Sequence, residues 1–177
     1  LNAPIGNGLT LKMGVFDTIV GYEAANAGDN PNYTRSYGYS IEPTQHTGLL
    51  ASYKVCDGFS MSAGVANTYN ATVNTRAAGA VAGTTSQSQK TYMVGVSLTA
   101  PDSWGFLKGA VLNAGVVDGS LSAAGGSAAP DTTLVYVGAT VPTPWETIKT
   151  GVSWDHLQFA RTAGINTTDA DAIGLYA

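Results

Sequence analysis

The stretch HTGLLASYKVCDGFSMSAGVANT, residues 46–68, holds two runs of alternating side chains joined by a three-residue link at 56–58. One face of each run is apolar, and the other carries small or polar residues. Alternation with a period of two is typical of a β-strand whose faces meet different surroundings. Because the link is so short, it predicts an antiparallel hairpin. The apolar positions are Leu49, Ala51 and Tyr53 in the first run, and Met61, Ala63 and Val65 in the second.

The same alternation recurs along the chain and predicts about eight strands. Most runs are about 8 to 10 residues long, the length that a tilted strand needs to cross the hydrocarbon of a bilayer. The predicted strands are 9–16, 46–55, 59–68, 91–99, 107–116, 133–141, 147–156 and 170–177.

The links between these runs alternate in length. Since consecutive strands are antiparallel, all the short links are expected at one end of the sheet. Outer-membrane barrels have this asymmetry, with short turns on one side and long loops on the other. The short links are 56–58, 101–106 and 142–146, and the long ones are 17–45, 69–90, 117–132 and 157–169.

Composition agrees with a membrane barrel. Hydrophobic residues make up 44% of the chain and charged residues only 11%, which is few for a soluble surface. No segment approaches the 18 or so consecutive apolar residues of a membrane helix. The net charge of -4 argues against nucleic acid as a partner. We therefore predict an all-β fold: a transmembrane, antiparallel, up-and-down β-barrel.

The less apolar strand face carries most of the charges that fall within strands. An unpaired charge facing lipid at the centre of a strand costs a few kcal/mol, so an aqueous inner face is the favoured location. The alternative for Lys54 and Lys149 is that they reach headgroups or bulk water, because both lie close to short links. The predicted channel-lining residues are Lys12, Lys54, Lys149 and Asp155.

Glycines recur along the same face, near the middle of nearly every run. Two interpretations stay open: short side chains keep a lumen wide, or glycine relieves curvature where the sheet closes. These positions are Gly14, Gly48, Gly64, Gly95, Gly138, Gly151 and Gly174.

The first long link, residues 17–45, is the segment richest in both aromatic and charged residues. One interpretation is a constriction loop that folds into or over the mouth and sets a transverse field. In the other, Arg35 pairs with a carboxylate of the loop and the tyrosines pack the loop on itself. The candidate constriction residues are Arg35, Glu23, Asp29, Glu42, Tyr33 and Tyr37.

This loop also carries a family resemblance. The segment MGVF at 13–16 precedes NPNYTRSY at 30–37, and EPTQHTG follows at 42–48. That order resembles the bacterial outer-membrane β-barrel porins of the OmpL-like type (β-barrel porin-2). The segments YVGATVPTP at 136–144 and GVSWDH at 151–156 resemble hairpins of that family.

The resemblance implies passive diffusion of small hydrophilic solutes through a channel in the bacterial outer membrane. Lipid is then the surrounding partner, and a homotrimer follows by analogy with other porins. It implies no catalytic residues. Since open channels have about 16 to 18 strands, we expect residues 1–177 to be one β-barrel domain and an internal portion of a longer porin.

Other classes fit the sequence less well. His46 and His156 have no neighbours at metal-ligand spacing, and no Gly-x-Ser-x-Gly elbow is present, so we expect neither an enzyme nor a metal site. The absence of a haem attachment motif indicates no cofactor. The alternative function is a non-conducting structural or cell-surface β-protein, for envelope assembly or adhesion, or a sheath around a partner.

Overall fold

The computed structural model describes residues 1–30, 32–70, 73, 75–78, 84–122, 131–145, 148–159 and 168–177. Its main element is a nine-stranded antiparallel sheet in which each strand pairs with the next along the chain. The all-β, up-and-down fold is as predicted. The nine strands are β1 (Asn2–Gly6), β2 (Leu9–Asp17), β3 (Gln45–Cys56), β4 (Phe59–Ala66), β7 (Thr91–Thr99), β8 (Val111–Ser120), β9 (Asp131–Pro142), β10 (Lys149–Phe159) and β11 (Thr168–Tyr176).

Small elements occupy the connections. A two-stranded ribbon, β5 (Ala77–Ala78) with β6 (Thr85–Ser86), lies between β4 and β7. A helix, α1 (Tyr37–Ile41), starts at Ser36, whose side chain accepts a hydrogen bond from the Tyr39 amide. Short 3-10 turns span Ala27–Asp29 and Asp102–Leu107.

Among the described residues, no helix combines the length and the apolar character that crossing a bilayer requires.

The first strand was not predicted. β1 pairs with β2 through a turn at Asn7 and Gly8, both of which have positive φ. Asn-Gly is a strong signal for a two-residue hairpin turn, so the sequence did indicate this hairpin. Pro4 hides the strand from a pattern search because proline donates no hydrogen bond, and it is tolerated here because β1 is an edge strand.

The fifth predicted strand was displaced. Its apolar run at 107–116 suggested a start at Leu107, but Leu107 belongs to the 3-10 turn and β8 begins at Val111. The connection from β7 to β8 therefore spans residues 100–110 and is no shorter than the 121–130 connection from β8 to β9. The predicted alternation of short and long links fails at this point, and parts of the links after β4, β8 and β10 lie outside the described residues.

The sheet has two distinct faces. We call outer the face that carries Leu49, Ala51 and Tyr53, and inner the face that carries Gly48, Leu50 and Ser52. Large apolar side chains stand uncovered on the outer face: Val94 is 58% exposed, and Ile173 is 74% exposed. The hydrophobic core lies on the inner face instead, where Phe16, Leu134 and Leu157 belong to one buried cluster.

The sheet is open in the described structure. β1 and β11 each pair with one neighbour and not with each other. A strand in lipid needs partners on both edges, since its backbone amides and carbonyls find no water there. The nine strands are thus consistent with part of a barrel wall.

Candidate functional site: the inner face and its loop

The connection from β2 to β3, residues 18–44, folds back over the inner face; we call it the inward loop. Ile19, Val20 and Tyr22 reach the wall from the start of this loop, and Val20 is buried in the main hydrophobic cluster. The core of the molecule is therefore made by a loop packing on a strand face. This loop fills the half of the inner face that lies farther from the β3–β4 turn.

Glycines of the wall form the seats for these side chains. A Cβ at Gly115 would lie 2.8 Å from Val20 Cγ1, and one at Gly95 would lie 3.1 Å from Ile19 Cδ1. At Gly151 the same position is taken by the hydroxyl end of Tyr22. Neither interpretation of the inner-face glycines anticipated this, because the close approach is made by side chains of a distant loop.

A hydrogen-bonded network holds the loop against the last strands. The Tyr22 hydroxyl lies 2.9 Å from Thr140 Oγ1 on β9, and its ring stacks on Tyr176 with centroids 4.0 Å apart. The Tyr176 hydroxyl donates to Glu23 Oε1 at 3.4 Å and to Ser36 Oγ at 3.3 Å. Tyrosines thus tie the loop to the wall, so they do more than pack the loop on itself.

Arg35 is held entirely by its own loop. Its guanidinium lies 3.6 Å from Glu23 Oε2 and donates to the carbonyls of Ala24 and Ala25 at 2.6 and 3.0 Å. It also lies 4.3 Å above the centre of the Tyr39 ring. The ion pair with a loop carboxylate matches the alternative interpretation of Arg35 and neutralises the buried Glu23.

Glu42 meets the wall at a second carboxyl group. Its side chain is within hydrogen-bonding range of Asp155 on β10, and Asp155 is fully buried. Burial, followed by the charge and hydrogen bond of Asp155 and the charge of Glu23, raises the pKa of Glu42 to about 9. At neutral pH Glu42 is therefore protonated and donates to Asp155.

The half of the inner face nearer the β3–β4 turn is lined by small polar groups. Hydroxyl and amide side chains stand there half-buried on five neighbouring strands, and Ser52 and Ser62 lie 2.9 Å apart across β3 and β4. Such groups can form hydrogen bonds with water and leave room for it, because their side chains are short. The sequence pattern showed their parity but not that the loop leaves them uncovered; they are Thr10, Ser52, Ser60, Ser62, Ser97 and Asn113.

The predicted lysines fall in two environments. Lys12 and Lys149 are exposed on the inner face, and no described residue makes an ion pair with either. Lys54 is also exposed, but it sits beside the turn and binds Asp57 at 2.7 Å. That contact matches the alternative interpretation of Lys54, which has bulk water around it.

A cleft of about 440 Å³ separates the loop from the wall near Lys149. Asp29 and Asn30 line it from the loop, and Asn113, Thr140 and Lys149 line it from the wall. Carboxylate and ammonium groups therefore border the same space from opposite sides. Tyr33 and Tyr37, also predicted for the constriction, are almost fully exposed and do not line this cleft.

The outer face has a polar edge that crosses the strands obliquely. Through the strand pairing, Asp118 on β8 aligns with Met13 on β2. The outward-facing Asp17 lies four residues farther along β2, toward the inward loop. In the other direction, Asp118 aligns with Asp169 on β11. Asp171, which contacts His156 at 3.0 Å, lies two residues farther along β11, on the opposite side of this line from Asp17.

This slope gives the strand tilt. A drift of six residues over the seven strand spacings from β2 to β11 is about 20 Å against about 34 Å, an angle of roughly 30°. Strands of membrane barrels are tilted by about 35 to 45°. An apolar band bounded by a line at this angle is what a bilayer surface would impose.

Aromatic side chains follow the opposite edge of the band. Trp104 and Phe106, in the connection from β7 to β8, and Trp145, in that from β9 to β10, are well exposed. Aromatic girdles occupy this position in membrane barrels.

In the described residues, no cluster of three or more histidine, cysteine or carboxylate side chains is arranged to hold a metal ion.

Comparison with known proteins supports the same class. The family described as "Putative beta-barrel porin-2, OmpL-like" matches residues 1–118, two thirds of the chain, from β1 through most of β8. No curated protein and no solved structure matches significantly. The chain belongs to the OmpL-like β-barrel porin-2 family.

Proposed function

We propose that this protein is an outer-membrane porin that lets ions and small hydrophilic solutes diffuse through a narrow, water-filled channel. The proposal rests on the two faces of the sheet. The outer face is apolar with an oblique polar edge, and half of the inner face is polar. Porin families are generally non-enzymatic, which agrees with the predicted lack of catalysis. Lipid is then the partner of the outer face.

The inward loop acts as the constriction in this proposal. It fills one half of the inner face, and its Asp29 faces Lys149 across the cleft. Glu23 and Arg35 shape the loop through their ion pair, while Lys12 and Lys149 act on the solute. Because the loop occupies much of the wall, we expect a small conductance rather than that of a wide general porin.

Closure needs strands on both free edges, so the proposal includes a wall larger than nine strands. A trimer remains an analogy with other porins, since no described surface identifies an interface between copies.

The rival function is a closed barrel that serves as structure or as a sheath. The extent of loop packing favours it, because a filled lumen does not conduct. The two functions differ in a single measurement.

That measurement is single-channel recording of the purified protein in a planar bilayer. The proposed function predicts stable open steps and a reversal potential under a salt gradient. Silence, with insertion verified by protection of the strands from protease, would favour the closed barrel.

A further inference from the structure

The contact between Glu42 and Asp155 is a fixed point at which the end of the inward loop meets the barrel wall. Glu42 directly follows α1, and Asp155 lies at the middle of β10. Gly38 of α1 lies so close that an added Cβ would be 2.7 Å from Asp155 Oδ2. The helix thus seats on the Asp155 carboxyl, and the pair anchors the part of the loop that precedes β3.

No other described group compensates the charge of this pair. Neither oxygen of Asp155 has another hydrogen-bond partner among the described residues, and Arg35, the basic residue of the loop, is engaged by Glu23. The remaining titratable groups around the pair are Glu23 and Tyr22 from the loop, Tyr69 from the connection after β4, Tyr136 from β9 and Tyr176 from β11. None of them is a cation, so a proton is what keeps the two carboxyl groups together.

We propose that the shared proton of Glu42 and Asp155 is the anchor that positions the inward loop, so that losing this proton releases the loop and widens the pore. This inference rests on the proposed function for its effect on conductance, but release of the loop can be measured without it. Asp155 is then a positioning residue, because it acts on the solute through the loop.

The direction of the pH dependence follows from linkage. A released Glu42 regains its ordinary pKa of 4.5, whereas in the docked loop its pKa is raised to about 9. Docking is therefore fully favoured below pH 4.5 and loses ground as pH rises, until the effect levels off above about pH 9. Because one proton is released, the opening equilibrium rises about tenfold per pH unit within that window.

Trypsin offers a direct readout of loop position. Arg35 is the one trypsin site between Asp17 and Gln45, and its side chain is partly buried in the docked loop. The fragment ending at Arg35, identified by mass, measures release, and an exposed peptide corrects for trypsin's own pH dependence. Between pH 6.5 and 9 we expect the cleavage rate to climb about tenfold per unit, with conductance rising over the same range.

Three variants decide the matter. Glu42→Gln donates its amide to Asp155 at every pH, so it should abolish the pH step and keep the loop docked. Asp155→Asn leaves Glu42 titratable and buried, so it should shrink the step without removing it. Asp102→Asn removes an exposed carboxylate in the connection from β7 to β8, away from the inward loop, and should keep the wild-type step.

The outcomes separate this inference from the proposed function. A conducting wild-type protein with no step, a step that survives in Glu42→Gln, or a step of unchanged size in Asp155→Asn would overturn the anchor. A protein that never conducts but shows the trypsin step would overturn the channel and retain the anchor.

Discussion

The two faces of the sheet differ in how far their large apolar side chains are covered. The outer face keeps large side chains such as Met13 and Val94 uncovered, while the inner face buries Leu134 and Tyr136 almost completely. In a water-soluble protein the apolar face would be the packed one. Here the packed face is the one with small residues, since a loop and not a second sheet covers it. This difference indicates that lipid, and not protein, contacts the outer face.

The largest effect is expected from a charge placed in the middle of the outer face. Val96→Arg should cost about 2–4 kcal/mol of the free energy of unfolding from lipid vesicles, because the guanidinium meets hydrocarbon there. Gln158→Arg, at the polar edge of the same face, should cost about 0–1 kcal/mol. Denaturant titration in vesicles measures both, and equal costs would contradict a lipid-facing band.

A smaller effect is expected from filling a seat on the inner face. Gly115→Ala places a methyl group 2.8 Å from Val20 Cγ1 and should destabilise the docked loop by about 1–3 kcal/mol. Cleavage at Arg35 by trypsin reports the loss. Adding Val20→Ala should remove the clash, so the double variant should be less destabilised than the two single costs predict; simple additivity would argue against the seat.

The smallest effect concerns the unpaired inner-face lysines. Lys149→Gln should shift the reversal potential toward cation preference in about 0.1 M salt and lose that shift near 1 M, where screening shortens to about 3 Å. Lys108→Gln is the control, since Lys108 pairs with Asp102 outside the strands. An equal shift from both substitutions would place Lys149 outside the conduction path.

The sequence was sufficient for the fold class because alternation with a period of two depends on neighbouring residues only. The strands around Asp57 and Gly58 could be placed from their hairpin alone. β1 was missed because Pro4 interrupts its pattern, and β8 was displaced because Leu107 continues an apolar run into a 3-10 turn.

The site was harder to predict because its contacts join distant residues. Nothing near Val20 indicates that it will lie on Gly115, and five strands of the sheet lie between Glu42 and Asp155 along the chain. The sequence identified the loop and its charged residues. It left two arrangements open for Arg35, and it could not show which carboxyl groups share a proton.

We expect lipid to contact one strand face and an aqueous, loop-lined space to contact the other. Spin labels at successive positions from 92 to 99 on β7, in a Cys56→Ser background, test it directly. We predict that labels at 92, 94, 96 and 98 collide with oxygen dissolved in the bilayer, whereas those at 95 and 97 do not. Equal lipid access at neighbouring positions, or the opposite alternation, would contradict a lipid-facing outer face.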